Sequence, residues 1–106
     1  MKYELKLRNK DGSIRLLEKD FVSGEAFMDA LKFQRDGVED GLDETEKLLA
    51  HASKVFEVKQ SELVEGLEAS EMYAQLLTVY YKTMGWAEKK IQQKLKEMLD
   101  WTEDED

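Results

Sequence analysis

Tyr3-Glu4-Leu5-Lys6-Leu7-Arg8, then Asn9-Lys10-Asp11-Gly12-Ser13, then Ile14-Arg15-Leu16-Leu17-Glu18-Lys19: this stretch decides the fold class. Tyr3, Leu5 and Leu7 alternate with Glu4, Lys6 and Arg8, and side chains two apart share one face of a strand. A second alternating run follows through Ile14 and Leu16. Asp-Gly between two such runs signals a hairpin, because the turn needs a positive φ that glycine adopts without steric cost. A β-hairpin is expected over residues 2–8 and 13–19, with Ile14 and Leu16 on its apolar face. Two strands are marginal in water alone, so that face must pack on the segments that follow.

Those segments read as helices. Ser23 is a good N-cap, and Gly24 to Arg35 places Phe27, Ala30 and Leu31 on one helical face. Phe21, just before the cap, is expected to pack back onto the first turn. Asp36-Gly37-Val38-Glu39-Asp40-Gly41-Leu42 breaks that helix. Asp43 with Glu46 three residues on resembles a capping box, and Leu48, Ala52, Val55 and Phe56 then mark a second amphipathic helix. Ser61 caps a short turn carrying Leu63 and Val64, which Gly66 closes, and Leu67 points back to the core. Ser70 begins a longer helix with Tyr73, Leu76, Leu77, Tyr80 and Met84 on one side, ended by Gly85. The last helix carries Ala87, Ile91, Leu95, Met98 and Leu99 on one stripe. Trp101 and an acidic tail end it.

The fold class expected is therefore α+β, mainly α: an N-terminal β-hairpin followed by four or five amphipathic helices in a compact bundle. With 106 residues, 42% of them hydrophobic, one core can form. Residues 1–102 are expected to make a single domain, with the hairpin over 2–19, a helical part over 23–101, and an acidic tail over 103–106. Proline is absent and no linker stands out by composition.

Charge and composition narrow the function. Twenty-four Asp and Glu against sixteen Lys and Arg give a formal net charge of −8. Binding a phosphate backbone needs a surplus of Lys and Arg, so nucleic acid is not an expected partner. No stretch approaches the roughly 20 apolar residues that span a bilayer, so no membrane association is expected. Cysteine is absent, which excludes disulfides and thiolate chemistry and suits a reducing cytoplasm.

Catalytic and metal-binding patterns fail residue by residue. His51 is the sole histidine, so a transition-metal site would have to be completed by carboxylates, and a structural role is expected for it. Ser13, Ser23, Ser53, Ser61 and Ser70 lack any nucleophile-elbow pattern. A calcium loop counted from Asp36 would put Val38 at position 3 and Lys47 at position 12, where oxygen ligands are needed. No catalytic residue, cofactor or metal is expected, and the chain reads as a non-enzyme. What remains is a set of aromatic and Met side chains in the last two helices: Met72, Tyr73, Tyr80, Tyr81, Trp86 and Met98. Protein-binding surfaces favour such residues, so these six are the candidate protein contacts. Tyr80 and Tyr81, being adjacent, cannot both face one core.

The hairpin, Lys19-Asp20-Phe21-Val22-Ser23-Gly24 leading into a helix, Val55-Phe56, and Ser61-Glu62-Leu63-Val64-Glu65-Gly66-Leu67 together resemble the tail assembly chaperones of long-tailed bacteriophages and prophages of Gram-positive bacteria. The resemblance covers roughly the first two-thirds of the chain. Gln60 stands where that family often has an aromatic residue. The resemblance implies a non-catalytic assembly factor in the bacterial host cytoplasm, absent from the mature virion. Such a factor binds and solubilises the tape measure protein and helps recruit tail tube protein subunits. An exposed apolar face would also permit self-association. Two other readings compete: a small acidic inhibitor of a basic DNA-binding protein, and a minor structural phage tail protein.

Overall fold

The computed structural model describes residues 2–99. Strand β1 (Tyr3–Arg8) pairs antiparallel with β2 (Ile14–Lys19), Leu5 opposite Leu17 and Leu7 opposite Arg15. The connection is a three-residue loop, Lys10 to Gly12. Asn9 N–H donates to Ser13 O at 2.8 Å, Gly12 N–H donates to Asn9 O at 2.9 Å, and Gly12 takes φ +92°. Asp11 Oδ1 accepts from both the Ser13 amide (2.9 Å) and hydroxyl (2.6 Å), which fixes the loop and lowers the Asp11 pKa.

This loop corrects one expectation. A two-residue Asp-Gly turn would set Leu16 opposite Leu7. The extra loop residue shifts the register by one, and a shift of one turns a strand over. Leu17 accordingly joins Leu5 and Leu7 against the core, whereas Ile14 and Leu16 face outward, 56% and 48% exposed.

Five helices follow: α1 (Gly24–Asp36), α2 (Gly41–Phe56), α3 (Gln60–Gly66), α4 (Ala69–Thr83) and α5 (Glu88–Leu99). The fold is α+β and mainly α. One apolar cluster joins the hairpin to all five helices, with Leu5, Leu48, Leu63, Leu76, Val79 and Ile91 at its centre. The periodicities read for α2 and α4 hold, and that of α5 holds in part, since Ala87 and Met98 are exposed. Leu48, Ala52, Val55 and Phe56 are buried, as are Leu76, Leu77 and Tyr80, and Ile91 and Leu95. Trp101 and the acidic tail lie outside the described residues.

Helix starts fall slightly upstream of the expected caps. Asp40, not Asp43, caps α2, accepting from Asp43 N–H at 2.8 Å, while Asp43 reaches back to Glu39 N–H at 3.0 Å. The pattern is close to a capping box, except that the returning bond takes the amide of Glu39, one residue before the cap. Glu68 rather than Ser70 caps α4, and Ser61 sits inside the first turn of α3, where Lys59 takes the cap position without a side-chain bond. In α2 and α4 an acid two or three places earlier already satisfies a free amide, whereas α3 starts without a side-chain cap.

Three kinds of long-range contact lock the hairpin onto the helices. A Cβ built on Gly66 would stand 2.9 Å from Leu7 Cβ, so α3 approaches β1 closely only because residue 66 has no side chain. Arg15 pairs with Glu62 at 3.3 Å and Lys19 with Glu57 at 2.6 Å, tying β2 to α3 and to the end of α2. Lys6 N–H donates to Gln75 Oε1 of α4 at 3.3 Å.

Candidate functional site

The six aromatic and Met candidates divide by burial. Tyr80 belongs to the core and offers no surface to a partner, which removes it from the contact set. Its ring meets Phe33 at 5.1 Å and the edge of His51 at 5.8 Å, and its hydroxyl donates to Ala30 O at 3.4 Å. Tyr81, its neighbour, turns to the α4–α5 side and is half-buried. It stacks on Trp86 (4.5 Å between centroids, 18° between planes), and its hydroxyl contacts Met98 Sδ at 3.6 Å. Lys90 Nζ lies 4.8 Å over the Trp86 ring. Tyr81, Trp86 and Met98 thus form one cluster joining α4 and α5, with Met98 its exposed member.

Tyr73 and Met72 are half-buried on the other end of α4. The Tyr73 hydroxyl donates to the Glu44 carboxylate of α2 at 3.0 Å, and burial together with that carboxylate pushes its pKa up to about 12. Of the six, then, most are engaged in joining helices to one another.

The apolar surface lies elsewhere, on α1. The helix buries Ala26 and Ala30, with Phe33 partly covered, a stripe at i, i+4 and i+7. Phe27, Met28 and Leu31 stand exposed on the adjoining face, contrary to the expectation that Phe27 and Leu31 share the core face with Ala30. Small residues win the inner position because α1 runs close against α2 and α4, with the Tyr80 hydroxyl reaching the backbone of Ala30 itself. Phe21 does not fold back onto the first turn either. It is 79% exposed, and Val22 takes the packing position instead. The outcome is a set of exposed apolar residues, Phe27, Met28 and Leu31 on α1 and Phe21 just before its cap.

Two of the hollows among the described residues mix acidic and basic side chains. A cleft of about 840 Å³ runs between the hairpin and the α3–α4 junction. Lys6, Arg8, Lys10 and Arg15 line its hairpin side, and Glu62, Glu65, Glu68 and Glu71 its helical side. Opposed walls of opposite charge select no single sign of ligand. A smaller hollow of about 300 Å³ is bounded by Asp29, Phe33, Asp36, Lys47, His51 and Lys54. Here Lys54 pairs with Asp29 at 2.6 Å, which holds the Asp29 carboxyl below its ordinary pKa.

His51 is buried at the inner wall of that hollow. Its Nε2 lies 3.0 Å from Thr83 Oγ1, and the Thr83 hydroxyl donates its own proton to Tyr80 O at 2.7 Å. With that proton committed, Nε2 must be the donor, so the ring is the neutral Nε2–H tautomer. Burial lowers the His51 pKa to about 4. This is a core histidine in a satisfied hydrogen-bond chain. Among the described residues no group of three or more His, Asp or Glu is arranged to hold a metal ion, and no helix is long and apolar enough to cross a membrane. Compared with known proteins, the chain matches no family model, no curated sequence and no solved structure.

Proposed function

We propose that this protein is a phage tail assembly chaperone, a non-catalytic factor that binds and solubilises the tape measure protein and helps recruit tail tube subunits in the host cytoplasm. The observation that supports the reading best is the apolar run of α1, Phe27, Met28 and Leu31 with Phe21 beside it, on a chain of net charge −8. An amphipathic partner helix can lay its apolar stripe along such a face, while the acidic remainder keeps the pair dispersed. A tape measure protein, before the tube encloses it, presents long stripes of that kind, and exposed stripes aggregate. The surface acids do not favour a mimic of duplex charge. Glu57, Asp29, Glu62 and Glu88 are paired with Lys19, Lys54, Arg15 and Lys82, so an even stripe of free carboxylates is interrupted.

The test is co-expression with tape measure and tail tube proteins, followed by capture at moderate and high salt. Retention of both at high salt, lost in Phe27→Glu/Leu31→Glu, supports the reading, because helix packing is little screened by salt. Capture of only a basic DNA-binding protein that leaves as salt rises would replace it with the inhibitor reading.

A further inference from the structure

The outer edge of β2 has a definite directionality. Lys6 N–H donates to Gln75 and therefore points away from β2. In an antiparallel ladder, a residue whose amide points away from its partner lies opposite one that does the same. Leu16 is opposite Lys6, Ile14 opposite Arg8 and Glu18 opposite Glu4, so the N–H and C=O groups of Ile14, Leu16 and Glu18 are aimed out of the sheet. Among the described residues no other element hydrogen-bonds that edge, and Ile14, Arg15, Leu16 and Glu18 are all exposed. Natural sheets shield such edges with proline, a bulge or outward lysines. β2 has no proline or bulge, and its outward face carries Ile14 and Leu16, so it is an open template.

The sequence of that edge selects its occupant. Ile14-Arg15-Leu16-Leu17-Glu18-Lys19 can pair with itself antiparallel only in registers that set outward-aimed residues against outward-aimed residues. Centred on Arg15, the two arginines oppose each other, and centred on Leu17, Arg15 opposes Lys19. Centred on Leu16, Ile14 faces Glu18, Arg15 faces Leu17 and Leu16 faces Leu16, with no like charges directly opposed. Arg15 and Lys19 are moreover neutralised within each copy by Glu62 and Glu57. We propose that β2 is a self-pairing edge: two copies of this chain join β2 to β2 about a two-fold axis at Leu16, forming one four-stranded antiparallel sheet. The proposal is independent of what α1 binds, since α1 is not part of this edge.

The absence of cysteine provides a clean test. Opposed residues of a hydrogen-bonded pair have Cα atoms about 5.5 Å apart, inside the range a disulfide spans. Leu16→Cys should therefore convert to a disulfide-linked dimer on mild oxidation. Ile14→Cys alone should not, because its two copies would stand about 14 Å apart along the strands. The pair Ile14→Cys/Glu18→Cys should link again. By sedimentation equilibrium the unmodified chain should be dimeric near millimolar concentration, and Leu16→Lys, at an exposed position that leaves the core intact, should be monomeric with an unchanged circular dichroism spectrum. A monomeric unmodified chain at that concentration, or linking by Ile14→Cys as fast as by Leu16→Cys, would overturn the proposal.

Discussion

Acidification should weaken this fold through His51 in a way that a single substitution can isolate. The imidazole has a pKa of about 4 in the folded chain, set by burial, against about 6.5 unfolded. The gap of about 2.5, at 1.36 kcal/mol each, is worth about 3 kcal/mol. Because the folded pKa is the lower one, the unfolded chain takes up the proton first. The contribution is complete above about pH 6.5 and declines as pH falls towards 4. By about pH 4.5 most of that contribution should be gone. The groups facing the ring are Asp29 of α1, Lys54 of α2, and Tyr80 and Thr83 of α4. Asp29 favours the imidazolium and Lys54 opposes it, both less strongly than burial.

Paired carboxylates such as Asp29 and Glu57 also have lowered pKa values and lose stability in the same direction. The useful comparison is therefore with His51→Gln, whose amide can still donate to Thr83 but does not titrate. Urea unfolding followed by circular dichroism at about pH 7 and pH 4.5 gives the two losses. The unmodified chain should lose about 2 kcal/mol more than the variant. Equal losses would refute the account, as would an imidazole that titrates near its ordinary pKa in a nuclear magnetic resonance titration.

Three further outcomes are expected. Gly66→Ala should lower stability by about 1–3 kcal/mol, because the new methyl meets Leu7 Cβ at 2.9 Å; a rise in the melting midpoint, the ordinary result of alanine in a helix, would disprove the close-approach argument. Ala30→Leu should cost a similar ~1–3 kcal/mol by forcing α1 away from Tyr80, and its near-ultraviolet circular dichroism should change with it. Phe21→Glu, by contrast, should alter stability by no more than about 0.5 kcal/mol, since that residue is 79% exposed; a large loss on thermal unfolding would place that ring in the core.

The parts of the fold legible in the sequence are those where one reading of the pattern excludes the others. Leu48, Ala52, Val55 and Phe56 lie on a single possible stripe, and they are buried together. Asp11-Gly12 marks the hairpin, but the dipeptide occurs in two-residue and three-residue loops alike. The inward face of β2 depends on which loop forms. With Leu16 and Leu17 adjacent, either register buries a leucine. The same ambiguity governs α1, where Ala26, Ala30 and Phe33 compete with Phe27 and Leu31 for the inside. Size favours the second set, but the narrow space beside α2 and α4 favours the first. The aromatic residues of α4 and the α4–α5 connection are legible as a group, yet their division between core and surface follows from rings such as Tyr80 and Phe33 meeting across helices far apart in sequence.

The hairpin leaves the ribosome before every helix it packs on, and it is among the last of these elements that can settle. Its seat consists of Gly66, Leu76 and Gln75, and the Lys2 carbonyl accepts from Lys82 Nζ at 3.1 Å, eighty residues further on. At ordinary elongation rates the two strands would wait roughly 3–13 s for that seat to emerge. During that interval Leu5 and Leu7 lack α3 and α4, the helices that pack on β1, and a nascent chain of this protein is itself an aggregation-prone substrate. Slower synthesis lengthens that exposure, so the yield of folded protein should depend on translation speed across the codons between the turn and α4.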